Sequence, residues 1–269
     1  MAARTESIRL LGPARMSWER ITSRSIAIVL VMGMAFAAQP ARAETIVVYG
    51  ASGDIGGVIV NEALSRGHTV IGVSRQPAKL KVNNKNFTAV AGDVTDLASF
   101  QSVTKGADAV IISVSGGGKD NLPENSVTAQ AAKVATQAFA GMRRNPYVIQ
   151  IGGATTMYAT KEAMLAHLPF PVKPGSATYG MFFGHLVALQ TYRASNIRWA
   201  VLAPPLDIDG WSAGAKPVLK RTGKYRTSTS GLVEDANGKS VANIADLAVA
   251  AVDEAEKQRF VGKSFTIGY

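Results

Sequence analysis

Gly50-Ala51-Ser52-Gly53-Asp54-Ile55-Gly56 follows a short apolar run, Thr45-Ile46-Val47-Val48-Tyr49, and opens onto Ile55, Val58, Ile59, Ala63 and Leu64, apolar residues at helical spacing. The order is strand, glycine-rich turn, helix, the setting in which a glycine triplet signals dinucleotide binding. Gly50 is expected to let the chain leave the strand sharply, Gly53 to let a pyrophosphate approach the backbone, and Gly56 to let the helix pack close to the sheet. Ser52, Asp54 and Ile55 share that turn and join the expected contact. The first N–H groups of the helix, with their partial positive charge, would face the phosphates.

Downstream of this turn, short apolar runs alternate with helical patterns. Strands are expected at Thr69–Val73, Phe87–Ala91, Ala109–Val114, Tyr147–Ile151, Arg198–Ala203 and Phe265–Ile267. Helices are expected at Leu97–Val103, Val127–Met142, Thr178–Ala194 and Ile244–Gln258. Strand–helix alternation with nearly all-apolar strands predicts βαβ units, hence an α/β fold with a Rossmann-type doubly wound parallel sheet. Residues 206–243 are richer in Gly, Ser and Thr and read as a small irregular C-terminal lobe on the substrate side, with a hairpin at Asn237-Gly238.

The segment before the first strand carries an address. Ile26 to Ala38 is apolar and uncharged, Arg20 and Arg24 precede it, and Ala41-Arg42-Ala43 follows it. A basic region, a short apolar run and an A-x-A site are the parts of a secretory signal peptide. The run is shorter than the ~20 residues of a membrane span, so no stable span is expected after cleavage. The expected division is a signal peptide over residues 1–43 and a dinucleotide-binding domain over 44–269, periplasmic or secreted. A start at Met16 would give a leader of ordinary length, and a spurious extension would leave the protein cytoplasmic.

Composition excludes several classes. With no cysteine there is no disulfide, thiolate metal site or cysteine nucleophile. The formal charge is +10, and residues 1–43 hold six basic and two acidic residues, so the remainder keeps +6. No dense basic run with interleaved aromatics points to nucleic acid. Three scattered histidines make no metal cluster, and no G-x-S-x-G elbow is present.

Gly-Ala-Ser-Gly-Asp-Ile-Gly, Gly67-His68-Thr69-Val70, Ser74-Arg75, Gly92-Asp93-Val94-Thr95-Asp96, Asn196-Ile197-Arg198-Trp199 before Pro204-Pro205, and Ala245-Asp246-Leu247-Ala248 together resemble the atypical short-chain dehydrogenase/reductases. The likeness is to the NAD(P)H-binding, NmrA-like branch that includes biliverdin and flavin reductases. It covers Gly50 to about Tyr269 and implies a nicotinamide dinucleotide cofactor. It also implies that Asp93 lies near the adenine, with Val94 beside it.

Strand two ends on Ser74 and Arg75 with no carboxylate to accept from ribose hydroxyls, while an arginine can pair with a 2′-phosphate. NADP is therefore expected over NAD. Ser113 and Ser115 at the end of strand four should line the nicotinamide ribose, with Gly152 after strand five, and Gly116-Gly117-Gly118 reads as a flexible loop. No tyrosine is followed four residues later by lysine, so the usual Tyr-x-x-x-Lys acid–base pair is missing. Tyr179 and His185, on the helix where a catalytic tyrosine would sit, are the candidate chemical groups. A flavin or quinone acceptor needs orientation more than acid–base help, so an NADPH-dependent reductase of such a small molecule is expected. The alternative is a non-catalytic dinucleotide-binding sensor or assembly factor.

Overall fold

Alternate residues of β1 (Thr45–Tyr49) face opposite sides of the sheet, and both sides are buried. Ile46 and Val48 enter one apolar cluster, Val47 and Tyr49 the other. The computed structural model describes residues 42–158, 172–208, 211 and 219–269. The apolar leader run and the Met16 start lie outside the described residues. Arg42–Tyr269 forms one compact unit with both cores inside it.

The strands after β1 are β2 (Thr69–Ser74), β3 (Phe87–Ala91), β4 (Ala109–Ile112), β5 (Tyr147–Ile151) and β6 (Trp199–Ala203). Three short strands follow, β7 (Asp207–Ile208), β8 (Arg226–Ser228) and β9 (Val241–Ala242), and β10 (Lys263–Gly268) comes last. The main sheet runs β3-β2-β1-β4-β5-β6-β10-β8, parallel except for β8, which pairs antiparallel with β10. This is the doubly wound parallel arrangement that the alternation of elements implies. β7 and β9 form a separate parallel pair.

Helices α1 (Asp54–Ser65) and α5 (Ile244–Lys257) cover one face; α2 (Leu97–Val103), α3 (Val127–Ala138) and α4 (Ala177–Arg193) cover the other. On the second face Phe100 stacks on Tyr49, with ring centroids 5.1 Å apart. Gln150 of β5 donates to the Thr128 carbonyl at 3.1 Å and accepts from the Tyr192 hydroxyl at 2.6 Å, which fixes α3 and α4 over the sheet.

Two expectations change. Asn237-Gly238 does form a tight turn, with Gly238 at φ +72° and Asp235 Oδ1 accepting from Asn237 N and Lys239 N, but no paired strands flank it. Gly116-Gly117-Gly118 is a packed crossing rather than a loose loop. A Cβ on Gly117 would stand 2.6 Å from the Ala177 carbonyl oxygen, and Gly118 sits at φ +76° hard against the Asn125 carbonyl.

A cluster of charges fastens α1 to α5. Arg66 donates to Glu62 (2.8 Å), Asp253 (2.7 Å) and Glu256 (2.9 Å), and Arg221 reaches Glu62 from the other side at 2.9 Å. The hydrogen bond from Arg221 leads in holding the Glu62 carboxyl below its usual range. For Asp253 burial opposes, yet hydrogen bonds from Arg66, Tyr225 and Lys257 prevail and lower it too. Removing Arg66 leaves three half-buried carboxylates facing one another. Arg66→Ala is expected to cost about 2–3 kcal/mol by urea unfolding at pH 7, somewhat less than a fully buried pair loses. Because the folded carboxyls titrate low, the contribution stands above the unfolded carboxyl range near pH ~4 and fades as pH falls below it, so the variant and the parent should converge in acid.

Candidate functional site

The chain turns from β1 into α1 with Gly50 at φ +77°, in the left-handed region. A Cβ on Gly50 would overlap the Ser113 carbonyl after β4, and a Cβ on Gly56 would overlap the Gly50 carbonyl itself. Gly56 thus packs against its own turn more than against the sheet. Gly53 differs from both: an added Cβ would meet only the Gly50 oxygen, at 3.3 Å. Gly53 is exposed and N-caps α1 with no side-chain hydrogen bond. The other four described α-helices each have a side chain on their first-turn amides: Asp96 for α2, Ser126 for α3, Ser176 for α4 and Asn243 for α5. The start of α1 therefore keeps its donors for another acceptor.

β1 and β4 are neighbours, and the connections leaving them diverge to β2 and β5. This is the switch point of the sheet, where open α/β folds leave a crevice. A cleft of about 620 Å³ opens there. Its floor is Gly53–Gly56 with Ser113, Val114 and Ser115; Ile151–Thr155 and Tyr158 follow from β5. Met181, Phe182 and His185 of α4 form one wall, and Pro204, Pro205, Leu206, Ile208 and Trp211 form the far end.

The structure brings Gly53, Asp54, Ile55, Gly56, Ser113, Ser115, Gly152 and His185 to this cleft. Ser52, Ser74, Arg75 and Asp93 lie at or just after the carboxyl ends of β1, β2 and β3, and Val94 is buried in the core of the second face. Ser52 Oγ and Ser74 Oγ are 3.2 Å apart, joining the glycine turn to the end of β2. Arg75 is exposed and forms no ion pair among the described residues. Asp93 Oδ1 accepts from both the amide and the hydroxyl of Thr95, which with the nearby Arg75 charge lowers its carboxyl. The cap of α2 is Asp96, not Asp93.

Tyr179 is not among the cleft-lining residues; its ring packs on Phe183 with centroids 4.4 Å apart. Tyr158 lines the cleft instead, just after the turn Ala154–Met157, and burial raises its phenol. Sequence reasoning passed over Tyr158. Its signal is position, a few residues past a strand-ending Gly-Gly.

His185 is buried, and its Nδ1 has no hydrogen-bond partner among the described residues. Room for its ring depends on Gly153, where a Cβ would stand 2.9 Å from His185 Cδ2. Burial lowers the imidazole to about 4, so it is neutral at physiological pH. Among the described residues no group of His, Cys, Asp or Glu is arranged to hold a metal ion.

A parallel sheet in this order, with an uncapped glycine turn at its switch point, defines a dinucleotide-binding α/β protein. The family model described as NAD(P)H-binding matches residues 50–255, and the chain belongs to that family, among the atypical short-chain dehydrogenase/reductases. The uncharacterised protein YwnB of Bacillus subtilis is 29% identical over 226 residues, 82% of this chain and 96% of that one. The crystal structure of a candidate exported protein from Burkholderia pseudomallei is 29% identical with a TM-score of 0.66, covering 84% of this chain and all (100%) of that one. A candidate epimerase from Bacteroides thetaiotaomicron is 28% identical with a TM-score of 0.69, covering 85% and 98%.

A buried neutral histidine takes up its proton only at a cost. The unfolded chain binds that proton near pH ~6.5, the folded chain only near 4, so stability should fall with acid between these values by up to about 1.4 kcal/mol per pH unit. His185→Gln is expected to flatten that slope in unfolding curves from pH 6.5 to 4, and the imidazole NMR signals of His185 should remain those of the neutral ring at pH 5.5.

Proposed function

We propose that this protein is an NADPH-dependent reductase of a flat, conjugated acceptor such as a flavin or a quinone, working outside the cytoplasm. The observation that carries the cofactor reading is the uncapped start of α1 at Gly53, beside a cleft of dinucleotide dimensions. The amides of α1 hold the pyrophosphate, Ser113 and Ser115 face the nicotinamide ribose, and Asp93 and Val94 border the adenine. Arg75 meets the 2′-phosphate, with Ser74 at its side.

Bound NADPH supplies the hydride. The chain's own part is to stack and screen. Met181 and Phe182 on the α4 wall, with Pro204, Pro205 and Trp211 at the far end, give the cleft an apolar surface suited to an aromatic ring. His185 adds a neutral ring to that wall. Neither the neutral His185 nor the raised phenol of Tyr158 is a ready acid at neutral pH, so the acceptor's proton comes from water. The Bacteroides relative is described as a candidate epimerase, but epimerase chemistry on a sugar fits poorly with an apolar pocket and no Tyr-x-x-x-Lys pair. Export is read from the apolar leader and its A-x-A site, and the description of the Burkholderia relative supports it.

Trp211 in the cleft is a built-in reporter. NADPH should quench its fluorescence more tightly than NADH does, and Arg75→Ala should weaken NADPH about tenfold while leaving NADH unchanged. Gly53→Val places a side chain over the amides at a backbone conformation (φ −85°, ψ 168°) that any residue adopts. It should abolish binding of both dinucleotides at a stability cost of about 1 kcal/mol. Steady NADPH oxidation with a panel of flavins and quinones completes the test. Binding without turnover of any acceptor would replace the reductase by the sensor reading.

A further inference from the structure

The fold's first backbone contact is made by Glu44. Its carbonyl accepts from Thr69 N at 2.9 Å, and Thr45 N donates to Asp108 Oδ2 at 2.9 Å. Arg42 and Ala43 are exposed and make no hydrogen bond among the described residues. Glu44 N sits 3.1 Å from Nδ1 of His68, a side chain only 1% exposed. Nδ1 accepts there, so Nε2 carries the proton and donates to Glu256 Oε1 at 2.9 Å. Glu44 Oε2 is buried with no partner among the described residues. A buried acceptor thus holds this backbone nitrogen, and the same residue carries an orphan carboxylate oxygen, with Asp108 from the approach to β4 and Glu256 from α5 adding negative charge.

As an amide, that nitrogen has a single proton and no charge to offer this surrounding. We propose that the site is a socket for a free amino terminus, and that cleavage between Ala43 and Glu44 creates its occupant. Hydrolysis by a membrane leader peptidase consumes one water, leaves a carboxylate on Ala43 and a protonated amine on Glu44. The amine keeps its bond to His68 Nδ1 and gains two further protons for the Glu44 and Asp108 carboxylates. Its charge replaces that of Arg42, which leaves with the leader. The inference rests on the export reading above and not on the cofactor reading.

The charges facing the amine are the carboxylates of Glu44, Asp108 and Glu256, with Arg66 at the end of α1 bound to Glu256. Net negative surroundings raise the amine's folded pKa above its unfolded value near ~8. The added stability is therefore complete below that value and is lost as pH rises through the folded one.

Chains beginning at Glu44 and at Arg42, each released from a removable fusion partner, should be melted side by side from pH 6 to 10.5. Both retain the compact unit with its cores. The Glu44 form is expected to melt about 2–4 °C higher at pH 7, with the gap closing at the alkaline end. His68→Gln should erase the gap between the two forms even where it lowers both. Equal melting at pH 7, or a gap unchanged at pH 10.5, overturns the socket. The full chain, expressed in a Gram-negative host and recovered from the periplasm, should have the intact mass of a protein starting at Glu44. A different start, or retention of the leader, overturns the processing step and the export reading, and leaves the dinucleotide site untouched.

Discussion

Three backbone segments meet at Gly50, and neither approach leaves room for a side chain on the glycine that makes it. Gly50 lies against the carbonyl of Ser113, and Gly56 lies against that of Gly50. The first contact joins β1 to the end of β4; the second brings α1 down onto the turn. The crevice between the connections that leave β1 and β4, the direction of the α1 amides and the position of Ser113 all follow from this convergence. Ligand specificity can be rewritten elsewhere in the cleft by changing side chains. At this point there are no side chains to change, and a methyl group on either glycine would push apart the elements that form the floor.

The cleft has two electrical characters. At the glycine turn, unpaired amides and an exposed arginine present positive potential on the rim. Across the cleft, proline, phenylalanine, methionine and tryptophan surround a histidine that burial keeps neutral. A ligand with an anionic half and an aromatic half fits such a division lengthwise, because each half enters the region that penalises it least. The export proposed above adds a constraint of its own, since the dinucleotide would have to reach the protein outside the compartment where it is made.

The parts of the architecture that repeat were legible in the amino-acid sequence. The run at Thr45–Tyr49 and the glycines after it foretell β1, the turn and α1, and the later apolar runs foretell the other parallel strands to within a residue or two. Buried parallel strands advertise themselves by being apolar throughout. β8 has no such mark: Arg226-Thr227-Ser228 is a polar edge strand, recruited only because β10 offers it a ladder. β7 and β9 are two residues each, too short for any periodicity. In the site, Tyr179 drew attention by its place along α4, yet the rotation of that helix sets Met181, Phe182 and His185 into the cleft. That rotation is fixed by Gly180 and Gly184, whose missing side chains let α4 settle against Asn121 and Ser126. Such a tertiary fit leaves no local trace.

The clasp between α1 and α5 also sets a timetable. Arg66 reaches carboxylates 187 and 190 residues further along the chain, and β10 enters between β6 and β8 only after both have been made. At ordinary rates of synthesis, about 10 to 40 s pass between the emergence of Arg66 and that of its acceptors. Over that interval the α1 face of the sheet lacks α5, and the place between β6 and β8 is unfilled. For the export proposed above, a chain that locks only when its last tenth arrives can still be threaded through a membrane pore, where a protein that closed early would jam.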